Sequence, residues 1–199
     1  PKLDFRQVRT AIGHFSASQI STIMGCKFKW ASRYLYKLPS FRKRSQMLDI
    51  GCFFHNEVKA ALYAGPEYLN REDMLERINV AVEPNKSVTG DDFPELVDLF
   101  LSTYGTYSFS KENTEVKISG KVDGCAPGCI GFVDYIWDRD GERKIVDLKI
   151  KGTLKKDQYG DPLYSDSERI QQGIYSYFLK IPKTELHIIH VNRRKKSDK

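Results

Sequence analysis

Residues 131–149 read GFVDYIWDRDGERKIVDLK, two strand-like runs on either side of a turn. At its middle Asp140-Gly141 forms a two-residue hairpin turn, because both central positions of a type I′ turn need positive φ. With those two residues at the tip, Arg139 pairs with Glu142. Counting outward sets Asp134 directly opposite Asp147, with Cα atoms roughly 4.5–5.5 Å apart. Side chains alternate along a strand, so Asp147 and Lys149 point to one side. Their neighbours on that face are Phe132, Ile136 and Ile145, and the other face carries Val133, Tyr135, Trp137, Val146, Leu148 and Ile150. Two apolar faces describe a sheet covered on both sides. Two facing carboxylates on such a surface repel each other and lose hydration. A divalent cation is the natural compensation. The bland alternative is a solvated hairpin in which Lys149 neutralises one aspartate, but such a hairpin has no use for Phe132, Ile136 and Ile145. The register carries the inference, since a longer loop shifts every pair.

Outward from the hairpin, the pattern is strand-like from Thr114. Strands are expected at 114–122, 129–138, 143–150 and 185–191, with a helix at 167–180 closed by Pro182. Residues 152–166 read as a polar loop. Before Thr114 the periodicity is helical. Ser16 or Ser18 caps a helix through Ile20, Ile23 and Met24, which Gly25 breaks. The stretch 26–36 mixes Phe28, Trp30, Tyr34 and Tyr36 with Lys27, Lys29, Arg33 and Lys37, a pattern that reads either as core or as a base-stacking surface. Further helices are expected from Gly51 to Ala64, at 71–80 and at 94–104, with a loop over 83–92. The fold class is α/β (α+β): a central mixed sheet flanked by helices, in a single domain over 1–199. Residues 1–110 form its helical part, and 111–199 the sheet, its helix and the last strand.

The chain has 199 residues, enough for one domain with a real core. Hydrophobic residues are 40% and charged ones 29%, as in soluble globular proteins. No apolar run approaches a membrane span, and no signal peptide heads the sequence, so a cytoplasmic protein without membrane partners is expected. The net charge of +6 and pI near 9.0 favour a partner that carries phosphates, since neutralising phosphates releases counterions. Cations cluster at Arg42-Lys43-Arg44, from Lys149 to Lys156, and from Arg193 to Lys196; the last cluster equally suits a solvated tail. The cysteines, Cys26, Cys52, Cys125 and Cys129, match no common zinc spacing. Reduced thiols are the simplest expectation, with a loop disulfide between Cys125 and Cys129 as the alternative.

Asp134 followed on the next strand by Asp147-x-Lys149 resembles the core of the PD-(D/E)xK nuclease superfamily, whose restriction-endonuclease-like fold the element order matches. Gly51-x-x-x-His55 on an early helix is similar to the upstream histidine motif of the RecB-type exonuclease branch. Gln171-Gln-Gly-Ile-Tyr175 is similar to that branch's Q-x-x-x-Y helix. The Ser-rich start and Cys26 resemble its N-terminal region, which is shared with the iron–sulfur nucleases of CRISPR adaptation. Each motif alone is weak, and D-x-K is common by chance. Their order from Ser16 to Tyr175 is the signal. Val133 stands where the superfamily's proline precedes the first aspartate. No cysteine follows Cys129, so no iron–sulfur cluster is expected.

The resemblance implies a metal-dependent deoxyribonuclease that acts on single strands or strand ends and leaves 5′ phosphates, in DNA repair or recombination or in a phage or virus. His55, Asp134, Asp147 and the main-chain carbonyl of Leu148 would hold Mg²⁺ or Mn²⁺. Lys149, an ammonium and therefore no ligand, would orient the attacking water or stabilise charge on the phosphorane. Gln171 and Tyr175 share a helix face beside the active site. Glu115 is an extra acidic candidate whose register nothing in the sequence sets. His187 and His190 fall on opposite faces of a strand and make no ligand pair. Trp30, Arg33, Tyr34 and Lys151 are the expected contacts to DNA. The competing readings are a non-catalytic DNA-binding protein on the same fold and a structural zinc protein built on the four cysteines.

Overall fold

The computed structural model describes residues 13–39, 45–83, 88–121, 128–139, 141–152, 154–156, 158–159 and 162–191. The elements run in the order β1 (His14–Phe15), α1 (Ala17–Gly25), α2 (Lys27–Trp30), a π-helical turn (Ala31–Leu35), α3 (Gln46–Ala64), α4 (Arg71–Ala81), α5 (Phe93–Tyr104), β2 (Thr114–Gly120), β3 (Gly128–Arg139), β4 (Glu142–Lys151), α6 (Asp166–Leu179) and β5 (Thr184–His190). The five strands form one mixed sheet in the order β1-β3-β4-β5, with β2 also paired to β3. The chain is α/β, as expected. No helix among the described residues is long and apolar enough to cross a membrane.

The hairpin has the predicted register. Arg139 pairs with Glu142, and the antiparallel ladder continues through Trp137↔Lys144 to Tyr135↔Val146. Gly141 takes φ +75, a conformation the turn demands and glycine adopts at little cost; Asp140 lies outside the described residues. Beside this hairpin β1 runs parallel to β3, with Phe15 opposite Cys129. Strand β5 follows β4 in the same direction, since Ile145 N–H donates to Lys183 and Val191 N–H to Lys151. A parallel neighbour needs a crossover, and α6 supplies it.

The chain folds as two compact units. The first comprises Pro1–Lys43, Glu115–Val146 and Tyr164–Glu185. Its core joins Ile118, Val133, Ile136 and Ile145 of the strands to Tyr175 and Ile181. Helix α6 lies so close to the sheet that a Cβ on Gly131 would stand 2.8 Å from the Tyr175 ring, which makes glycine obligatory there. Phe132 is half exposed, so the cover expected over its face is incomplete at that point.

The second unit comprises Arg44–Thr114, Asp147–Leu163 and Leu186–Lys199. Ile50, Phe54, Met74, Ile78, Phe93 and Phe100 are fully buried in it, and the Phe54 and Phe100 rings stack at 4.6 Å. Arg77 ion-pairs with buried Glu57 at 2.6 Å and ties α4 to α3. Helix α3 starts five residues before the predicted Gly51, because the Ser45 side chain accepts from Leu48 N–H and caps it. Gly51 therefore sits inside the helix, where a Cβ would meet Ile150 at an ordinary 3.8 Å. Val122, Cys125 and its loop, and the basic clusters at 42–44 and 193–196, lie outside the described residues.

Candidate metal centre

In the second unit, strand alternation puts Asp147 and Lys149 on one side of β4, and their side chains meet. Lys149 Nζ lies 2.6 Å from Asp147 Oδ2. The carboxylate is 1% exposed and the lysine 31%, so an ion pair begins in the interior and ends at solvent. Burying a carboxylate costs several kcal/mol, on the order of the Born penalty reduced by relaxation, unless cations and hydrogen bonds offset it. Between the two, Leu148 turns its side chain to the opposite face and is 2% exposed. Lys151 is half-buried, and its carbonyl accepts from Val191 N–H. His55 is half-buried on α3. His187 faces the Tyr104 hydroxyl, 2.8 Å from its Nδ1, and His190 is exposed, so the two form no ligand pair.

In the first unit, Asp134 stands half-buried on β3. Glu115, at the start of β2, approaches it: their carboxylate oxygens lie within 4.8 Å. Glu115 also holds φ +52, a left-handed conformation that costs a residue with a Cβ on the order of 1–2 kcal/mol. Backbone strain of that kind persists where surroundings over-determine it, and it clusters at functional sites. Two like charges at this distance repel, and a hard cation between them would turn repulsion into attraction. Sequence reasoning named Glu115 without a register. The signal that ranks it, a positive φ beside another carboxylate, exists only in three dimensions.

Gln171 and Tyr175 share a face of α6, and the Gln171 amide N–H donates to the Tyr175 hydroxyl at 3.0 Å. Tyr175 is thereby both core and tether, its ring in the sheet's apolar cluster and its hydroxyl braced. The expected base-stacking role of Trp30 is corrected. Its ring is fully buried beside Phe15, at 6.0 Å between centroids, and no face remains for a base. Arg33 is exposed, with its guanidinium 5.2 Å from the centre of the Tyr34 ring, and Tyr34 is half-buried against the Trp30 cluster.

Glu115 and Asp134 of the first unit offer carboxylate oxygens, donors of the kind that suit hard divalent cations. Among known proteins, the family model described as the PD-(D/E)XK nuclease superfamily matches residues 14–196. No curated protein matches the chain significantly.

Proposed function

The chain belongs to the PD-(D/E)XK nuclease superfamily, and from that premise we propose that it is a divalent-metal-dependent deoxyribonuclease of the RecB-type branch. It hydrolyses phosphodiester bonds of DNA in single strands or at strand ends and leaves 5′ phosphates. The match includes segments of both compact units, which supports reading residues 1–199 as one nuclease domain. The observation that carries this reading is the buried Asp147 with Lys149 at 2.6 Å, the D-x-K signature realised as an ion pair that reaches solvent.

His55, Asp134, Asp147 and the Leu148 carbonyl would hold the cation. The hairpin register supports this, since it runs from Arg139↔Glu142 to Tyr135↔Val146 as the sequence requires. Glu115 joins them on the strength of its approach to Asp134. When bound, the cation supplies Lewis acidity toward the phosphate and lowers the pKa of water. Lys149 donates hydrogen bonds to the attacking water, or to a non-bridging oxygen as negative charge builds there. In-line attack by the water makes the new O–P bond while the 3′ oxygen leaves with the old bonding pair; the water's proton passes to solvent, and the 3′ oxygen takes one from it. Gln171, braced by the Tyr175 hydroxyl, steadies Lys149 and the substrate strand. Arg33, Tyr34 and Lys151 carry the rest of that strand.

The test is cleavage of end-labelled single- and double-stranded DNA, linear and circular, with and without Mn²⁺. Asp147→Ala and Lys149→Ala should each lower metal-dependent cleavage by roughly 10³-fold or more. Circular dichroism and DNA binding should stay near those of the parent. Persistent cutting by the Asp147→Ala protein ends the assignment, and cutting of circles identifies an endonuclease.

A further inference from the structure

We propose, resting on the nuclease reading above, that residues 24–38 of the first unit form a platform for single-stranded DNA. Phe28 and Tyr36 stack on unpaired bases, and Lys27, Lys29, Arg33 and Lys37 follow the phosphates. Phe28 is 80% exposed and Tyr36 66%, and Met24 and Leu38 are exposed with them. A lone exposed apolar residue needs no explanation, but four within so short a segment make a patch.

The charge around that patch selects its partner. Between Gly13 and Pro39 the chain carries those four cations and no aspartate or glutamate. All four cations are exposed. Exposed apolar side chains interspersed with exposed cations suit a polyanion that also has flat apolar faces. Unpaired nucleotides are such a partner, because every base offers a π-face while the backbone supplies the charge. A duplex keeps those faces stacked inside and offers only phosphates.

The backbone under the platform is held in place. Trp30 anchors the segment from below, wholly buried against Phe15. The Cys26 thiol accepts from Lys29 N–H and caps α2. A π-helical turn follows, closed by Tyr36 N–H to the Ala31 carbonyl at 2.9 Å, with Leu38 N–H to Ser32 at 2.9 Å. Lys37 adopts φ +51. Short π-helical turns and left-handed non-glycine residues both concentrate at functional sites. Trp30 is thus the anchor and Phe28 the stacking face.

Fluorescence anisotropy of a labelled oligo-dT, measured in EDTA, reads binding without cleavage. Phe28→Ala and Tyr36→Ala should each weaken the parent's affinity about tenfold. Val80→Ala, at an exposed position on α4, should leave it unchanged. Inorganic polyphosphate should bind the parent and Phe28→Ala proteins alike, because stacking plays no part there. The proposal is overturned if Phe28→Ala holds oligo-dT as tightly as the parent, or if the parent does not bind it. Equal loss of polyphosphate binding, a change only in oligomeric state, or a loss seen only with phosphatidylserine vesicles overturns it too. Because the readout needs no metal, absence of cleavage would sink the nuclease reading and leave this result standing.

Discussion

Strand β4 carries the same pattern twice, an acid and then a lysine two residues on, and the two copies have different fates. Glu142 and Lys144 lie 3.4 Å apart at the turn end of the hairpin, 46% and 30% exposed. Lys183 also bonds Glu142, and Lys144 bonds Glu185 at 2.7 Å. Asp147 and Lys149 close to 2.6 Å with the acid 1% exposed. Letter patterns do not separate them, since Glu142-Arg143-Lys144 is as good a match to (D/E)xK as Asp147-Leu148-Lys149. Burial separates them. An exposed acid bonded by two lysines has settled its charge with surface partners. A buried acid on a strand of fully covered neighbours keeps its charge only through what is brought to it.

Removing each lysine measures that difference. Lys149→Met leaves the Asp147 carboxylate buried without its ammonium, and metal-free stability at pH 7 should fall by about 2 kcal/mol. That figure is below the 3–5 kcal/mol typical of a fully buried pair because Lys149 reaches solvent. Lys144→Met should cost far less, as exposed pairs do. Urea unfolding of the two variants checks this. Equal losses would mean that burial of the acid does not distinguish the pairs.

A smaller effect extends the comparison to the first unit, where Glu115 and Asp134 face each other as like charges. Glu115→Gln should raise metal-free stability by about 0.5 kcal/mol, because it removes a repulsion between neighbouring strands. The same change should shrink the stabilisation that added Mn²⁺ gives, since a ligand stabilises only the folded form that binds it. Thermal melts with and without Mn²⁺ read both. A variant less stable than the parent without metal would show that the two carboxylates are already compensated there.

The hairpin was legible because one turn sets every pair: Asp140-Gly141 allows a single tight register, and the structure has it from Arg139↔Glu142 to Tyr135↔Val146. The pairing of Asp147 with Lys149 was legible for the same reason, since alternation alone puts them on one side. Helix starts were harder to place. Helix α6 begins at Asp166, where Ser165 and Glu168 form a capping box that the residues 165–168 spell out. The onset of α3 depends on Ser45, a cap that looks like any other polar residue until a helix follows it. What sequence does not carry is tertiary. The two-residue β1 exists because β3 offers it an edge, and Trp30 differs from Phe28 only in which one the fold covers. The left-handed Glu115 is set by its surroundings, and glutamate itself does nothing to announce it.

The weakest expected effect lies at the exposed end of β4, and it shows what a settled charge looks like. Lys183 and then Lys144 bond Glu142 and hold its carboxyl below its ordinary value. A folded-state pKa lowered in this way stabilises the protein above the unfolded pKa, and that contribution disappears as pH falls through the folded value. Glu142→Gln should therefore be slightly less stable than the parent at neutral pH, and the gap should close as the carboxyl protonates in acid. Because Glu142 is exposed, about 1 M salt should close the same gap at neutral pH. Salt should leave the Lys149→Met deficit largely in place, since ions do not enter the interior around Asp147. Urea midpoints across pH and salt test both halves. A Glu142→Gln deficit that resists salt would mean that the exposed pair, too, is shielded from solvent, and the contrast between the two ends of β4 would fail.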